Sequence, residues 1–296
     1  MAKTRHNRAQ GNPSGRSRGP QGRPSARERI AAERAARKRA EMRRRLLAPI
    51  AAVTAVLGIV VALVAVKLTS APPAQASESL ASSSIIKQVT TVPAAALTRA
   101  SPGPAVTPLD ATGKPGPPLT VDGKPAIVFV SEESCPFCAA ERWPLAVALS
   151  HFGHWSGLGS TRSSATDVFP DTATLSFRAA RYRSAELTLR TTELTTNTGQ
   201  PLQPQTTLDT RLIDTYDVPP YVNSADQSGA VPFLDIANRY ILAGAQYSPQ
   251  VLAGLSATQI ASQLANPSSP VAQAIDGSAR VIVAAINQVL AGRAGS

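Results

Sequence analysis

The segment Pro125-Ala-Ile-Val-Phe-Val-Ser-Glu-Glu-Ser-Cys-Pro-Phe-Cys-Ala-Ala-Glu-Arg-Trp-Pro-Leu-Ala-Val-Ala-Leu149 runs from an apolar stretch through two cysteines into a helix-like stretch. Pro125–Val130 reads as a buried strand and Ala139–Leu149 as a helix. Cys135 and Cys138 are the only cysteines in the chain. Strand, Cys-x-x-Cys and helix in that order form a setting in which a thiol–disulfide site is expected. A cysteine at a helix N-terminus faces unpaired backbone N–H groups and the positive end of the helix dipole, and both favour the attacking thiolate. Pro136 suits the first helical position, where its missing N–H costs nothing. Cys138 follows nearly one turn later, within reach to resolve a mixed disulfide. Glu132 and Glu133, read as a solvated loop, are expected to oppose the thiolate by their charge. Phe137 offers it no hydrogen bond. The thiol is therefore expected to be nucleophilic without being strongly acidic.

Two other readings of the pair stay open. An inert disulfide would close a loop of only four residues, and short loops gain little from cross-linking. A metal site would need ligands beyond one cysteine pair, with His151 and His154 the nearest to supply them. Neither a metal nor a cofactor is expected.

The charge is uneven. The formal net charge is +11, yet residues 1–45 carry fifteen Lys/Arg against three Asp/Glu, and the other 251 residues are nearly neutral. The basic tail is rich in Gly, Pro, Ser and Gln up to Ser25, a composition of disorder, and becomes Ala/Arg/Glu-rich towards Arg45. Leu46–Val66 is uncharged over 21 residues, long enough to cross a bilayer. With the cations on its N-terminal side, residues 46–68 read as a single-pass transmembrane helix with the tail in the cytoplasm and the remainder outside. A cleaved signal is the rival, since Ala74-Gln-Ala76 fits a small-residue cleavage pattern. Either way the cysteines are exported to where disulfides persist. The tail is expected to meet anionic lipid headgroups. Nucleic acid is not an expected partner, because no aromatic residue is interleaved with the arginines before the span.

Residues 69–84 read as a Ser/Ala/Pro-rich linker, and 85–296 as one extracytoplasmic domain. Within it His151–Ser160 reads as a glycine-broken loop, Thr172–Phe177 and Ala185–Leu194 as strands, and Thr206–Tyr216 as a short helix. Gly229–Ala245 reads as two strands joined by a turn at Asn238, Ser248–Leu264 as a helix capped by Ser248, and Val271–Leu290 as another helix. Trp143 reads as core. Arg142 reads either as a partner for a carboxylate such as Asp235 or as a surface residue. Serine-hydrolase and phosphate-loop chemistry lack a motif here: there is no Gly-x-Ser-x-Gly and no glycine-rich loop ending in Gly-Lys-Ser/Thr.

The strand–Cys135-Pro-Phe-Cys138–helix unit, with Gly229-Ala-Val-Pro232 ahead of two strands and a helix, resembles the thioredoxin superfamily. More closely, Asp122-Gly-Lys-Pro125, Cys135–Trp143, Pro232-Phe-Leu-Asp-Ile236 and Gly244-Ala-Gln-Tyr-Ser-Pro249 resemble a thioredoxin-like family of unknown function, family 929. The resemblance implies an α/β (α+β) fold, a thioredoxin-like mixed sheet flanked by helices, with an enlarged insertion at about 150–225. It also implies a cis Val231–Pro232 bond, with Val231, Pro232 and Phe137 as substrate-binding residues. The chain departs from the thioredoxin pattern at Phe129, where that superfamily carries a buried acid, and Pro144 lies one residue beyond the usual helix proline.

The expected function is that of a membrane-anchored thiol–disulfide oxidoreductase, with Cys135 as nucleophile and Cys138 as resolving thiol. Its expected partners are disulfide-containing exported proteins or a membrane thiol electron carrier. The alternatives are a non-enzymatic binding or scaffold module and, behind it, a metal chaperone.

Overall fold

A computed structural model of the chain describes residues 79–99, 106–113, 117–222 and 228–294. The basic tail, the transmembrane segment expected at 46–68 and the linker up to residue 78 lie outside the described residues. Everything described belongs to one unit, Pro73–Ser296. Ordered structure starts ahead of Ile85, with β1 (Ser79–Leu80) and with α1 (Ser83–Thr90), whose first turn is capped by the Ser82 hydroxyl. Then come α2 (Ala94–Arg99), β2 (Asp110–Ala111), β3 (Thr120–Val121), β4 (Lys124–Ser131) and α3 (Pro136–Leu149). Asp122 and Gly123 turn β3 into β4, both with positive φ, as a two-residue hairpin requires.

Four short strands follow: β5 (His154–Ser156), β6 (Gly159–Arg162), β7 (Ala173–Ser176) and β8 (Arg181–Arg183). The chain continues through β9 (Thr188–Glu193), α4 (Thr207–Tyr216), β10 (Phe233–Ile236) and β11 (Tyr240–Ala243). It ends with a 3₁₀ turn (Pro249–Leu252), α5 (Ala257–Gln263) and α6 (Pro270–Ala294).

The protein is a mixed α/β structure with helices and several sheets. The main sheet has six strands in the order β2-β11-β10-β4-β3, with β9 also paired to β4. β4 runs parallel to β9 and antiparallel to β10. Its side chains alternate. Ile127 and Phe129 face a large core shared with α3 and α6, whereas Val128 and Val130 face a smaller core with Leu212, Ile213 and Tyr216 of α4. A strand covered on both faces reads as one continuous apolar run, which is how Pro125–Val130 appears in the sequence.

Two expectations are corrected. His151–Ser160 is not merely a loop: it carries β5, paired with β8, and β6, which lies between β1 and β7. Strands of three or four residues leave too little alternation to be read. Ser248–Leu264 is not one helix, because Gly254 turns at φ 73° and Ser256 starts α5 with a capping box to Gln259. Among the described residues one helix, Pro270–Gly292, is long and apolar enough to cross a bilayer. More than half of its apolar window is buried within this unit, and Ile275, Ala279, Ile282 and Ile286 form a stripe in the large core.

Candidate functional site: the cysteine pair

β4 ends at Ser131, and the three residues before Cys135, Glu132 to Ser134, turn the chain into α3. Cys135 is the N-cap of that helix, in extended conformation, and Pro136 fills its first turn. The Cys135 sulfur accepts the backbone N–H of Cys138 at 3.2 Å, as a serine oxygen would at an ordinary cap. Its thiol also reaches the Val231 carbonyl at 3.6 Å. Val231 and Pro232, just ahead of β10, are thus brought to Cys135 from a distant part of the chain, and the Val231–Pro232 bond is cis. Phe137, two residues after Cys135, is 39% exposed.

The two thiols differ. A hydrogen bond from the Cys138 side chain lowers the Cys135 pKa, outweighing the opposing effect of burial. The backbone N–H groups of Cys138 and Phe137 and the Arg142 charge lower it further. Cys138 is fully buried, and burial pushes its thiol well above the usual range. Its sulfur accepts the Glu132 backbone N–H at 3.4 Å. The pair therefore consists of a half-buried thiol whose pKa is lowered and a fully buried one whose pKa is raised.

Beneath the pair lies a charge arrangement that the sequence reading missed. Arg142, one turn after Cys138 on α3, is fully buried. It forms a bidentate ion pair with Glu193 at the end of β9, Nε to Oε1 at 2.9 Å and Nη2 to Oε2 at 2.6 Å. Nη2 also donates to the Glu132 carbonyl at 2.9 Å. Burial alone would lower the arginine's pKa, but Glu193 more than offsets it and the guanidinium stays charged. Arg142 thus has a carboxylate partner, but it is Glu193 rather than Asp235, and the surface position expected as the alternative is corrected. The register explains the choice: Glu193 is opposite Ser131 in the parallel β4–β9 pair, directly below the loop that carries the cysteines.

Glu133 is corrected too. It is buried and accepts the Ser176 hydroxyl at 3.0 Å, so it is not a solvated loop residue. The charge acting on Cys135 is the Arg142 cation rather than the two glutamates. Trp143 is core, its indole N–H donating to the Ala173 carbonyl. His151 and His154 are exposed and do not join the cysteines, and no metal-binding group of three or more His, Cys, Asp or Glu forms among the described residues.

The profile of the family described as Domain of unknown function (DUF929) matches residues 116–288, more than half of the chain, from the approach to β3 into α6 and across both cysteines. The chain belongs to this family. No match was found among curated proteins, and none among solved structures. The DUF929 region takes in β4, α3, β9 and β10, the four elements that supply Cys135, Cys138, Arg142, Glu193 and the Val231–Pro232 approach. A shallow apolar groove of about 340 Å³, lined by residues such as Leu109, Tyr240 and Arg280, includes neither cysteine.

Proposed function

We propose that this DUF929 protein is a thiol–disulfide oxidoreductase on a thioredoxin-like fold. The observation that carries the reading is the placement of the pair: a half-buried Cys135 caps the helix N-terminus 3.6 Å from the Val231 carbonyl, and a fully buried Cys138 lies one turn on, its backbone N–H on the Cys135 sulfur. The placement of the Val231–Pro232 segment beside Cys135 and the mixed sheet around β4 support the fold assignment. The basic tail and the uncharged Leu46–Val66 run support a membrane anchor with the cysteines on the extracytoplasmic side.

In the reducing direction, the Cys135 thiolate attacks one sulfur of a substrate disulfide. A Cys135–substrate bond forms and the other substrate sulfur leaves as a thiolate, taking a proton from solvent. Cys138 then gives its proton to solvent, helped by the Glu132 N–H and the Arg142 charge, and attacks the Cys135 sulfur. The Cys135–Cys138 disulfide forms and the second substrate thiolate departs. The reverse sequence hands the disulfide on. Val231 offers backbone groups to an extended substrate, and Pro232 and Phe137 shape the approach.

The test uses the full chain in detergent micelles with bis(2-hydroxyethyl) disulfide. Cys135→Ser is expected to abolish exchange without losing the helix cap, because a serine oxygen caps as well. Cys138→Ser is expected to accumulate a mixed disulfide on Cys135. Exchange by Cys135→Ser at the wild-type rate would sink the proposal.

A further inference from the structure

Among the described residues only three large apolar side chains are exposed: Leu80, Phe137 and Val168. Phe137 belongs to the cysteine motif. Val168, 74% exposed, precedes Phe169, whose ring meets Phe137 edge-on at 5.7 Å between centroids. The β6–β7 connection therefore reaches across to the mouth of the cysteine pair. It is tied there by the Ser164 N–H, which donates to the Ser134 carbonyl at 2.8 Å, one residue before Cys135.

The connection is also held internally. The Ser163 and Thr172 hydroxyls both donate to the Phe169 carbonyl, at 3.2 and 2.9 Å, and the Asp171 N–H donates to the Ser164 carbonyl at 3.2 Å. A loop fixed this way exposes Val168 in a set position. Its tip reads Asp167-Val-Phe-Pro-Asp171, an apolar triplet between two exposed carboxylates, and residues 163–177 contain no Lys or Arg. Arg162, at the base, directs Nη1 to the Asp171 backbone carbonyl.

We propose that this lip and Phe137 together form the docking surface for the polypeptide partner of the cysteine pair. The partner is an extended segment carrying an apolar side chain and a lysine or arginine next to its reacting cysteine. The inference rests on the redox reading and adds partner selection to it. Apolar area at the tip gives the neighbouring side chain a place to leave water, and the two carboxylates favour a cationic neighbour while disfavouring an acidic one. The insertion between α3 and β9 thereby acquires a role: it builds the lip.

The test uses the full chain in micelles and three peptides, each with one cysteine capped as a mixed disulfide with 2-mercaptoethanol. Around that cysteine they carry leucine and lysine, serine and lysine, or leucine and glutamate. Bis(2-hydroxyethyl) disulfide serves as the partner-free control. Wild type is expected to react with the leucine–lysine peptide about five- to tenfold faster than with either other peptide, the size of one apolar contact or one charge contact. Val168→Ser is expected to erase the leucine preference, and the Asp167→Asn/Asp171→Asn pair the lysine preference. In each case the loss on peptide should exceed any loss on the control disulfide by the same factor.

Equal rates on all three peptides, or variants that slow peptide and control alike, would overturn the docking surface while leaving the redox reading in place. Absence of exchange with the control disulfide would overturn the redox reading instead. The lip is then judged by fluorescence anisotropy of a leucine–lysine peptide bearing serine for cysteine: Val168-dependent binding supports it and no binding overturns it. Self-association of the chain that disappears in Val168→Ser would assign the lip to a second copy and overturn the proposal.

Discussion

Arg142 is a buried cation that joins a carboxylate at the end of β9 to the loop carrying the cysteines. Its guanidinium holds Glu193 by two bonds and the Glu132 carbonyl by a third, while the Glu132 N–H holds the Cys138 sulfur. Breaking a buried pair by removing one partner strands a charge, at a cost of about 3–5 kcal/mol, whereas replacing both by apolar groups of similar volume is far milder. Glu193→Leu is therefore expected to lower unfolding free energy by about that amount, and Arg142→Met/Glu193→Leu by much less than the two single changes together. A double-mutant cycle by denaturant unfolding checks this. The double variant has a second, chemical signature. Without the cation both thiolates lose a favourable charge, so the Cys135 titration is expected to move upward, as read by ultraviolet thiolate absorbance. An unmoved Cys135 titration would confine the ion pair to a structural role.

At the scale of the element, α3 must accommodate Pro144 in its interior. A proline there removes the bond to the carbonyl four residues earlier, which belongs to Ala140. That carbonyl is not left bare: the Tyr247 hydroxyl donates to it at 2.8 Å. On the adjoining turn the Thr174 hydroxyl donates to the Ala139 carbonyl at 2.7 Å. Tyr247→Phe is expected to cost about 1–3 kcal/mol, since it leaves a buried acceptor unsatisfied. In a Pro144→Ala background, where the helix regains its own N–H, the same change should cost about 1 kcal/mol less. The existence of α3 was legible from Cys135 to Leu149, because a cap, a first-turn proline and an apolar run are local signals. Its partners were not. Glu193 and Tyr247 meet the helix, and Ser164 the loop before it, only through strand register and chain reversal, and nothing in a single sequence announces those pairings. Of the candidate site, Cys135 and Cys138 were evident from spacing, and Val231–Pro232 came from family resemblance. Phe169 carried no local mark, because an apolar residue in a short Asp/Pro-rich loop reads as an ordinary turn.

For the molecule as a whole, buried carboxyls set a pH dependence unusual in its direction. Glu141 is fully buried on α3, with one oxygen accepting the Gln246 N–H at 3.0 Å and the other unpartnered, and burial raises its pKa to about 8. Asp235 on β10 is similar: burial raises it to about 7 although the Asn238 N–H donates to one oxygen at 3.0 Å. Unfolded, these groups ionise near 4.5 and 3.8. Below about pH 3 both states are protonated and neither group favours unfolding. As pH rises, the unfolded chain releases its protons first while the native state keeps them, so stability is lost through the window from about 4 to about 8. The loss ends once the folded groups themselves ionise. Glu141→Gln removes one titrating group and keeps the shape and a hydrogen-bond acceptor for Gln246. Its stability relative to wild type is therefore expected to rise between pH 5 and pH 8, by on the order of 3–5 kcal/mol for a group shifted this far. Urea unfolding of both proteins across that range measures the difference directly. A difference that stays flat with pH would mean that Glu141 is ionised in the folded protein, with a countercharge or water reaching its second oxygen.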